Sequence, residues 1–282
     1  MDFDTVGVLG AGTMGHGIAQ VAAQAGCRTT LYDVTRELAD KGLVRIGDNL
    51  QVGVGKGKLS PRDREETLAR LSTTERLEDL AGCALVIEAV PEDMGLKRPL
   101  FQRLSQLCAP TAVLASNTSS LSLTELAAAA THPERVVGMH FFNPVHLMKL
   151  LEVVRALQTS DQTVAAARAF GEKLGKQVIE VKDNPGFASS RLGVALGLEA
   201  IRMVEEGVAS AADIDRAMKL GYGHPMGPLE LGDLVGLDVR LSIAEYLYRE
   251  LGSPTFRPPQ LLKKMVRAGK LGKKTQEGFY KY

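Results

Sequence analysis

The chain has 282 residues, of which 45% are hydrophobic and 24% charged, the ordinary mixture of a globular protein with room for one large or two medium cores. Lys and Arg number 34 against 33 Asp and Glu, so the net charge of +1 gives no global field to hold nucleic acid or an anionic membrane, and aromatics at 5% with no Trp offer little for base stacking. No run approaches the roughly 20 uncharged apolar residues that span a bilayer.

In chain order, residues 6–9 are a short apolar run ending in glycines, which reads as a buried strand. Ile18, Val21, Ala22 and Ala25 then recur at helical spacing, an amphipathic helix. Residues 28–33 return as a strand and 36–49 as a polar helix. Gly53-Val54-Gly55-Lys56-Gly57-Lys58 reads as a loop, and Ser60-Pro61 as a helix start. Strands at 85–90, 112–115, 136–140, 150–154 and 178–181 alternate with helices at 96–107, 121–130 and 163–174. That alternation predicts an α/β fold, a Rossmann-type, mostly parallel sheet with helices on both faces. It stops at Asp183-Asn184-Pro185-Gly186, beyond which only helical periodicities remain, at 187–206, 211–219, 229–250 and 260–268. The expected organisation is a nucleotide-binding domain over 1–184 and a smaller all-helical domain over 185–282. Residues 192–204 carry hydrophobic side chains on every side of the helix, which points to packing against a second copy, a homodimer.

Cys27, Cys83 and Cys108 are odd in number and lack metal-ligand spacing, so they read as reduced core thiols and no metal is expected. Asp2 and Asp4 lead straight into the first strand, unlike a secretory or transit leader, and the expected compartment is the cytoplasm.

Gly10-Ala11-Gly12-Thr13-Met14-Gly15 fits G-x-G-x-x-G between a strand and a helix. The first glycine permits a tight turn, the second lets backbone approach a pyrophosphate, and the third lets helix and strand pack closely. The helix N-terminus then offers N–H groups and a positive dipole end to phosphates. Asp33 ends the next strand at about the offset of a ribose-binding acid. A carboxylate accepts from a ribose 2′-OH and repels a 2′-phosphate, which favours NAD over NADP, although Arg28 and Arg36 lie close in sequence. A methyl-donor cofactor shares this fold start, so the motif leaves the chemistry open.

His140 ends a strand, and Glu152 sits among aliphatic residues in the next one. A buried carboxylate needs a partner. A histidine suits it, exchanging a proton near neutral pH while the carboxylate fixes its tautomer. On spacing alone the two are a candidate acid–base pair and equally a satisfied histidine beside an edge residue.

Together these segments resemble the short-chain L-3-hydroxyacyl-CoA dehydrogenases, over essentially the whole chain. The markers are the glycine motif, Glu88-Ala89-Val90-Pro91-Glu92, Ala115-Ser116-Asn117-Thr118-Ser119-Ser120 and Gly138-Met139-His140-Phe141-Phe142-Asn143-Pro144, followed by Asp183-Asn184-Pro185-Gly186-Phe187, Gly223-His224-Pro225-Met226-Gly227-Pro228 and Gly278-Phe279-Tyr280-Lys281-Tyr282. The resemblance implies reversible oxidation of (S)-3-hydroxyacyl-CoA by NAD. It implies that His140 is the base for the 3-hydroxyl, that Glu152 orients it and that Ser119 contacts substrate near the thioester and nicotinamide. It further implies that Glu92, Lys97, Asn117, Asn143 and Lys274 belong to the cofactor site, with Lys56 and Asn49 toward coenzyme A. Taken as isolated residues, Glu92, Lys97 and Lys274 read as solvated surface charges. Two departures stand out. Ser190 replaces the family's usual Asn in the substrate-side polar set, and Thr275-Gln276-Glu277-Gly278 replaces Thr-Gly-Glu-Gly beside the cluster of Lys270, Lys273 and Lys274. A dehydrogenase of a free hydroxy acid or sugar acid would share the His–Glu pair without the CoA contacts. A non-catalytic dinucleotide-binding dimer would share the fold alone.

Overall fold

The computed structural model describes residues 3–282, so Asp2 lies outside the described residues. The chain divides into two compact units, Met1–Asp183 and Asn184–Tyr282.

The first unit runs β1 (Thr5–Leu9), α1 (Gly15–Gln24), β2 (Arg28–Tyr32), α2 (Arg36–Gly55), α3 (Pro61–Ala69), β3 (Leu71–Thr74), β4 (Leu85–Glu88), α4 (Met94–Leu107), β5 (Val113–Ser116), α5 (Leu123–Ala129), β6 (Val136–Phe141), β7 (Leu150–Arg155), α6 (Asp161–Lys173) and β8 (Gln177–Lys182). The strands form one eight-stranded sheet in the order β3-β2-β1-β4-β5-β6-β7-β8. Neighbours from β3 through β6 are parallel, β7 is antiparallel to β6, and β8 is parallel to β7. This is the mostly parallel Rossmann-type sheet expected from the alternation, and the order reverses between β1 and β4, where such sheets bind ligands. Its central strands β4, β5 and β6 are buried at every position, as strands covered on both faces must be.

Local structure departs from the sequence reading in four places. Helix α1 is buried from Gly15 through Ala23 apart from His16, so it is a core helix and not a one-sided one. Helix α2 continues through Gly55 where a loop was expected from Gly53, and Leu50 extends the buried stripe of Gly42 and Ile46 by one more turn. Interior glycines cost roughly 1 kcal/mol each in a helix, less than the burial of a leucine returns. The four-residue edge strand β3, Leu-Ser-Thr-Thr, is too short and polar to announce itself. In the second unit, the single helix expected at 229–250 is broken at Gly236, whose φ of +104° no helix contains.

That unit is wholly helical: α7 (Ser189–Glu205), α8 (Ala211–Tyr222), α9 (Pro228–Val235), α10 (Leu237–Leu251) and α11 (Gln260–Arg267). Val194, Leu198, Ile201, Leu229, Leu237, Leu247 and Leu262 build its core. Leu198 is fully buried there, whereas Leu192 and Leu196 on the same helix are 73% and 37% exposed. The C-terminal tail is pinned by two buried carboxylates. Asp233 accepts from Phe279 N, Tyr280 N and the Tyr282 hydroxyl, and Asp215 from Leu229 N, Glu230 N and the Tyr280 hydroxyl. Burial and these carboxylates push both tyrosine hydroxyls up from their ordinary pKa. Gln276, where the family usually has glycine, adopts φ +62° and steadies the turn by donating to Lys273 O at 3.0 Å.

All three cysteines are buried, and burial pushes the Cys83 and Cys108 thiols up to about 11. Among the described residues no helix is long and apolar enough to cross a membrane, and no cluster of metal-ligating side chains occurs.

Candidate active site

The glycine motif is built as its spacing requires. At Gly10 the backbone takes φ +90° and an added Cβ would lie 2.7 Å from Ala89 O; at Gly15 it would lie 1.6 Å from Gly10 O. Gly12 is different, since a Cβ there would meet nothing within 4 Å. The first and third glycines serve the fold, and the second leaves an open cradle of backbone at the N-terminus of α1. Asp33 closes the motif: its carboxylate accepts from Ala11 N at 2.8 Å and Val34 N at 2.7 Å. It stands at the carboxyl end of β2, next to the cradle. Arg36, which sequence left as a rival partner for a ribose phosphate, donates instead to Asp40 at 3.0 and 3.1 Å. Arg28 begins β2, opposite Thr5, about 16 Å of strand away from Asp33. The open cradle and a carboxylate without a competing guanidinium fit a dinucleotide whose ribose bears free hydroxyls.

His140 and Glu152 are register partners across the antiparallel β6–β7 pair, so both side chains point to one face. His140 Nδ1 lies 2.7 Å from Glu152 Oε2, with His140 6% and Glu152 0% exposed. A carboxylate only accepts, so Nδ1 carries the hydrogen and the lone pair of the neutral ring sits on Nε2. The Phe142 ring packs on the imidazole with centroids 4.5 Å apart. The antiparallel turn of β7 thus converts a twelve-residue separation into a direct contact.

The loops after β4 and β5 meet beside this pair. Asn117 Oδ1 accepts from Phe141 N at 2.9 Å, tying the β5 loop to the end of β6. Glu92 Oε1 accepts from Thr118 Oγ1 at 2.6 Å, Ser119 N at 2.9 Å and Ser119 Oγ at 3.3 Å. Lys97 is only 1% exposed, with Nζ 2.6 Å from Glu88 Oε1 and 3.3 Å from Glu92 Oε2. Asn143 follows β6 in an exposed loop with a cis bond to Pro144. That loop is held by Lys176, whose ammonium donates to Val145 O and Met148 O.

Residues 5–184 match the family described as "3-hydroxyacyl-CoA dehydrogenase, NAD binding domain", and residues 186–282 the one described as "3-hydroxyacyl-CoA dehydrogenase, C-terminal domain". The chain belongs to the 3-hydroxyacyl-CoA dehydrogenase family. It is 48% identical over 282 residues to the probable 3-hydroxybutyryl-CoA dehydrogenase of Bacillus subtilis, covering 100% of this chain and 98% of that one. To the probable 3-hydroxybutyryl-CoA dehydrogenase of Deinococcus radiodurans it is 50% identical over 277 residues, covering 98% and 99%. Among solved structures, that of (S)-3-hydroxybutyryl-CoA dehydrogenase from Ralstonia eutropha is similar with a TM-score of 0.96 at 43% identity, covering 100% of this chain and 99% of that chain.

The remaining residues expected from the resemblance to this dehydrogenase family fall in three places. Asn49 and Lys56 line one cavity of about 240 Å³, together with Gln20, Lys58 and His146. There Asn49 Nδ2 donates to Gln20 Oε1 at 3.3 Å, and burial, with His16 and Lys176 nearby, holds the His146 imidazole below its ordinary pKa. Lys274 lies in the helical unit, paired with Asp238 at 2.6 Å. Ser190 sits half-buried in the first turn of α7. Lys97 corrects the isolated-residue reading: it is no solvated surface charge, because Glu88 and Glu92 supply the counter-charges that allow its burial. Glu88, Ser116 and Lys176 were not singled out from the sequence. The signal for Glu88 was present, a lone carboxylate closing the apolar strand Leu85-Val86-Ile87, the same signal that marks Glu152.

Proposed function

We propose that this chain oxidises (S)-3-hydroxyacyl-CoA to 3-oxoacyl-CoA with NAD, reversibly, on short acyl chains such as 3-hydroxybutyryl-CoA and acetoacetyl-CoA. The observation that carries the reading is the buried His140–Glu152 pair across β6 and β7, with β6 next in the sheet to β5, whose loop carries Ser119. Names of relatives at 48% and 50% identity over nearly the whole chain support the same substrate class.

The backbone over Gly10, Ala11, Gly12, Thr13, Met14 and Gly15 holds the pyrophosphate of NAD, and Asp33 accepts from the adenosine ribose. Bound NAD supplies the hydride acceptor at its nicotinamide ring. Every other task falls to the chain. His140 Nε2 takes the proton of the 3-hydroxyl as C3 gives up its hydride, and returns it in the reverse direction. Glu152 keeps Nδ1 protonated and offsets the imidazolium charge that forms. Ser119 contacts the substrate near the thioester, Asn117 ties its loop to the end of β6, and Asn143 would lie near the nicotinamide ribose. Lys97 acts there through Glu92, which its ammonium faces. Lys56, with Asn49, takes the phosphates of coenzyme A, and the resemblance assigns Lys274 to the cofactor and Ser190 to the substrate. Mixing the protein with NADH and acetoacetyl-CoA should consume NADH absorbance; no consumption of NADH with any short 3-oxoacyl-CoA would overturn the reading.

The helical unit makes a homodimer in this reading, through the exposed leucines of α7. Leu196→Asp should halve the mass seen by light scattering while leaving the fold intact, whereas Leu198→Asp strikes the core and should unfold it, because an unpaired buried charge is costly. A monomeric parent protein at micromolar concentration would reject the dimer. The buried thiols, with no disulfide among the described residues, fit the reducing cytoplasm.

A further inference from the structure

Glu88 is wholly buried at the carboxyl end of β4, in a strand otherwise built of Leu, Val and Ile. A buried ion pair gives little net stability over an apolar pair of the same volume, so the fold alone does not call for one here. What the pair does do is geometric. Glu88 Oε1 accepts from Val90 N at 2.7 Å and Lys97 Nζ at 2.6 Å, and Oε2 accepts from Ser116 Oγ at 2.6 Å. Ser116 Oγ in turn accepts from Thr118 N at 3.2 Å. On the other side Lys97 reaches Glu92 at 3.3 Å, and Glu92 Oε1 holds Ser119 by both N and Oγ, at 2.9 and 3.3 Å. Two bonded paths therefore leave one buried carboxylate and converge on the loop that carries Ser119, one through Ser116 and Thr118, the other through Lys97 and Glu92.

We propose that Glu88 is a positioning residue for Ser119: it fixes Ser116 and Lys97, and through them the 117–120 loop, so that the Ser119 hydroxyl stands where the reacting substrate needs it. This rests on the assignment of Ser119 to the substrate site. Lys97 is the hub of the longer path, since it is the cation shared by two carboxylates. Replacing Glu88 by glutamine keeps the shape but turns an amide NH2 toward either Ser116 Oγ, which now donates to Glu88, or the Lys97 and Val90 donors. With the amide toward Ser116 the hydroxyl must turn to accept from it and its hydrogen loses the carboxylate; with the amide toward Lys97 and Val90 those donors lose their acceptor; either way Lys97 keeps only Glu92 of its two carboxylate partners.

The test uses the full-length protein and the NADH-dependent reduction of acetoacetyl-CoA. Glu88→Gln should lower kcat roughly tenfold, within the range that small misplacements of a reacting geometry cost. KM for acetoacetyl-CoA should change less than about threefold, because the loss is one of alignment and not of binding. The decisive readout is the cycle with Ser119→Ala. In that background Glu88→Gln should cost less than about twofold further, since residues acting as one unit do not add. Ser116→Ala, which removes one path only, should show a smaller loss with the same non-additivity, and it decides the matter if Glu88→Gln does not fold. Full multiplication of the two losses, or an unchanged kcat in Glu88→Gln, would overturn the inference while Ser119→Ala remains impaired. An inactive parent enzyme, or a fully active Ser119→Ala, would instead overturn the assignment of the site and the inference with it.

Discussion

Both units of this chain bury carboxylates, and they answer the burial differently. In the nucleotide-binding unit Glu152 faces a histidine ring, and Glu88 faces an ammonium and a hydroxyl. In the helical unit Asp215 and Asp233 face mainly backbone N–H groups, at Leu229, Glu230, Phe279 and Tyr280. A backbone donor is fixed by the fold, so a carboxylate aimed at it locks the chain path and nothing more. A side-chain donor can release a proton or turn, so a carboxylate aimed at it sets a reactive geometry. The same buried charge thus specifies shape in one unit and chemistry in the other, and mutations should separate the two uses.

The largest separation is expected at the His–Glu pair. His140→Ala should lower kcat by about 10² to 10⁴, the usual range for a positioned acid–base group. Glu152→Gln should fall in a similar range, and the double variant should be little worse than the worse single. Steady-state kinetics on the three proteins settles it: losses that multiply in full would mean that Glu152 serves something other than His140.

Cofactor choice is next. Asp33 offers acceptor oxygens at the end of β2, and no guanidinium stands ready to receive a 2′-phosphate, because Arg36 is engaged with Asp40. We expect kcat/KM with NADH to exceed that with NADPH at least roughly a hundredfold, the scale of a missed polar contact plus repulsion. Equal rates with both would break the ribose assignment.

Asp233→Ala probes the opposite use of a carboxylate. It strands Phe279 N and Tyr280 N, at a cost of about 1–3 kcal/mol for a buried donor left unmade. The unfolding midpoint should drop by roughly 2–8 °C on that basis, and Asp233→Asn, which keeps one acceptor, should lose less. An unchanged midpoint in calorimetry would show that the tail is not held there.

How much of this was legible in advance follows the same division. The strand–helix alternation and the glycine motif announce the first unit, because period and backbone need leave direct marks in the residues. His140 and Glu152 were legible as a candidate pair, yet their contact depends on β7 running antiparallel to β6, which no residue type declares. Taken alone, Lys97 reads as a surface charge, because its burial depends on Glu88 and Glu92 and nothing in the letter itself declares that pairing. The break at Gly236 was missed because apolar periodicity runs on through it, and only the positive φ stops the helix. Leu196 and Leu198 look equivalent as letters, and only packing shows that one is surface and the other core.

Ser190 offers the smallest expected effect and the sharpest use of it, because there the chain leaves the pattern it otherwise follows. It lies in the first turn of α7, half-buried, where the family usually places an asparagine. A serine keeps one donor and two acceptors but reaches less far than an amide. If it contacts substrate directly or through a water, Ser190→Ala should cost about two- to tenfold in kcat/KM, the worth of a neutral hydrogen bond of about 0.5–1.5 kcal/mol. That is well below the loss expected for His140, since an orienting contact moves no proton. Ser190→Asn restores the usual group and should keep activity within about tenfold of the parent. Measured with acetoacetyl-CoA, an unchanged Ser190→Ala enzyme would remove Ser190 from the substrate site. An inactive Ser190→Asn enzyme would mean that the surroundings of α7 have closed in around the shorter side chain, so that residue and pocket have changed together.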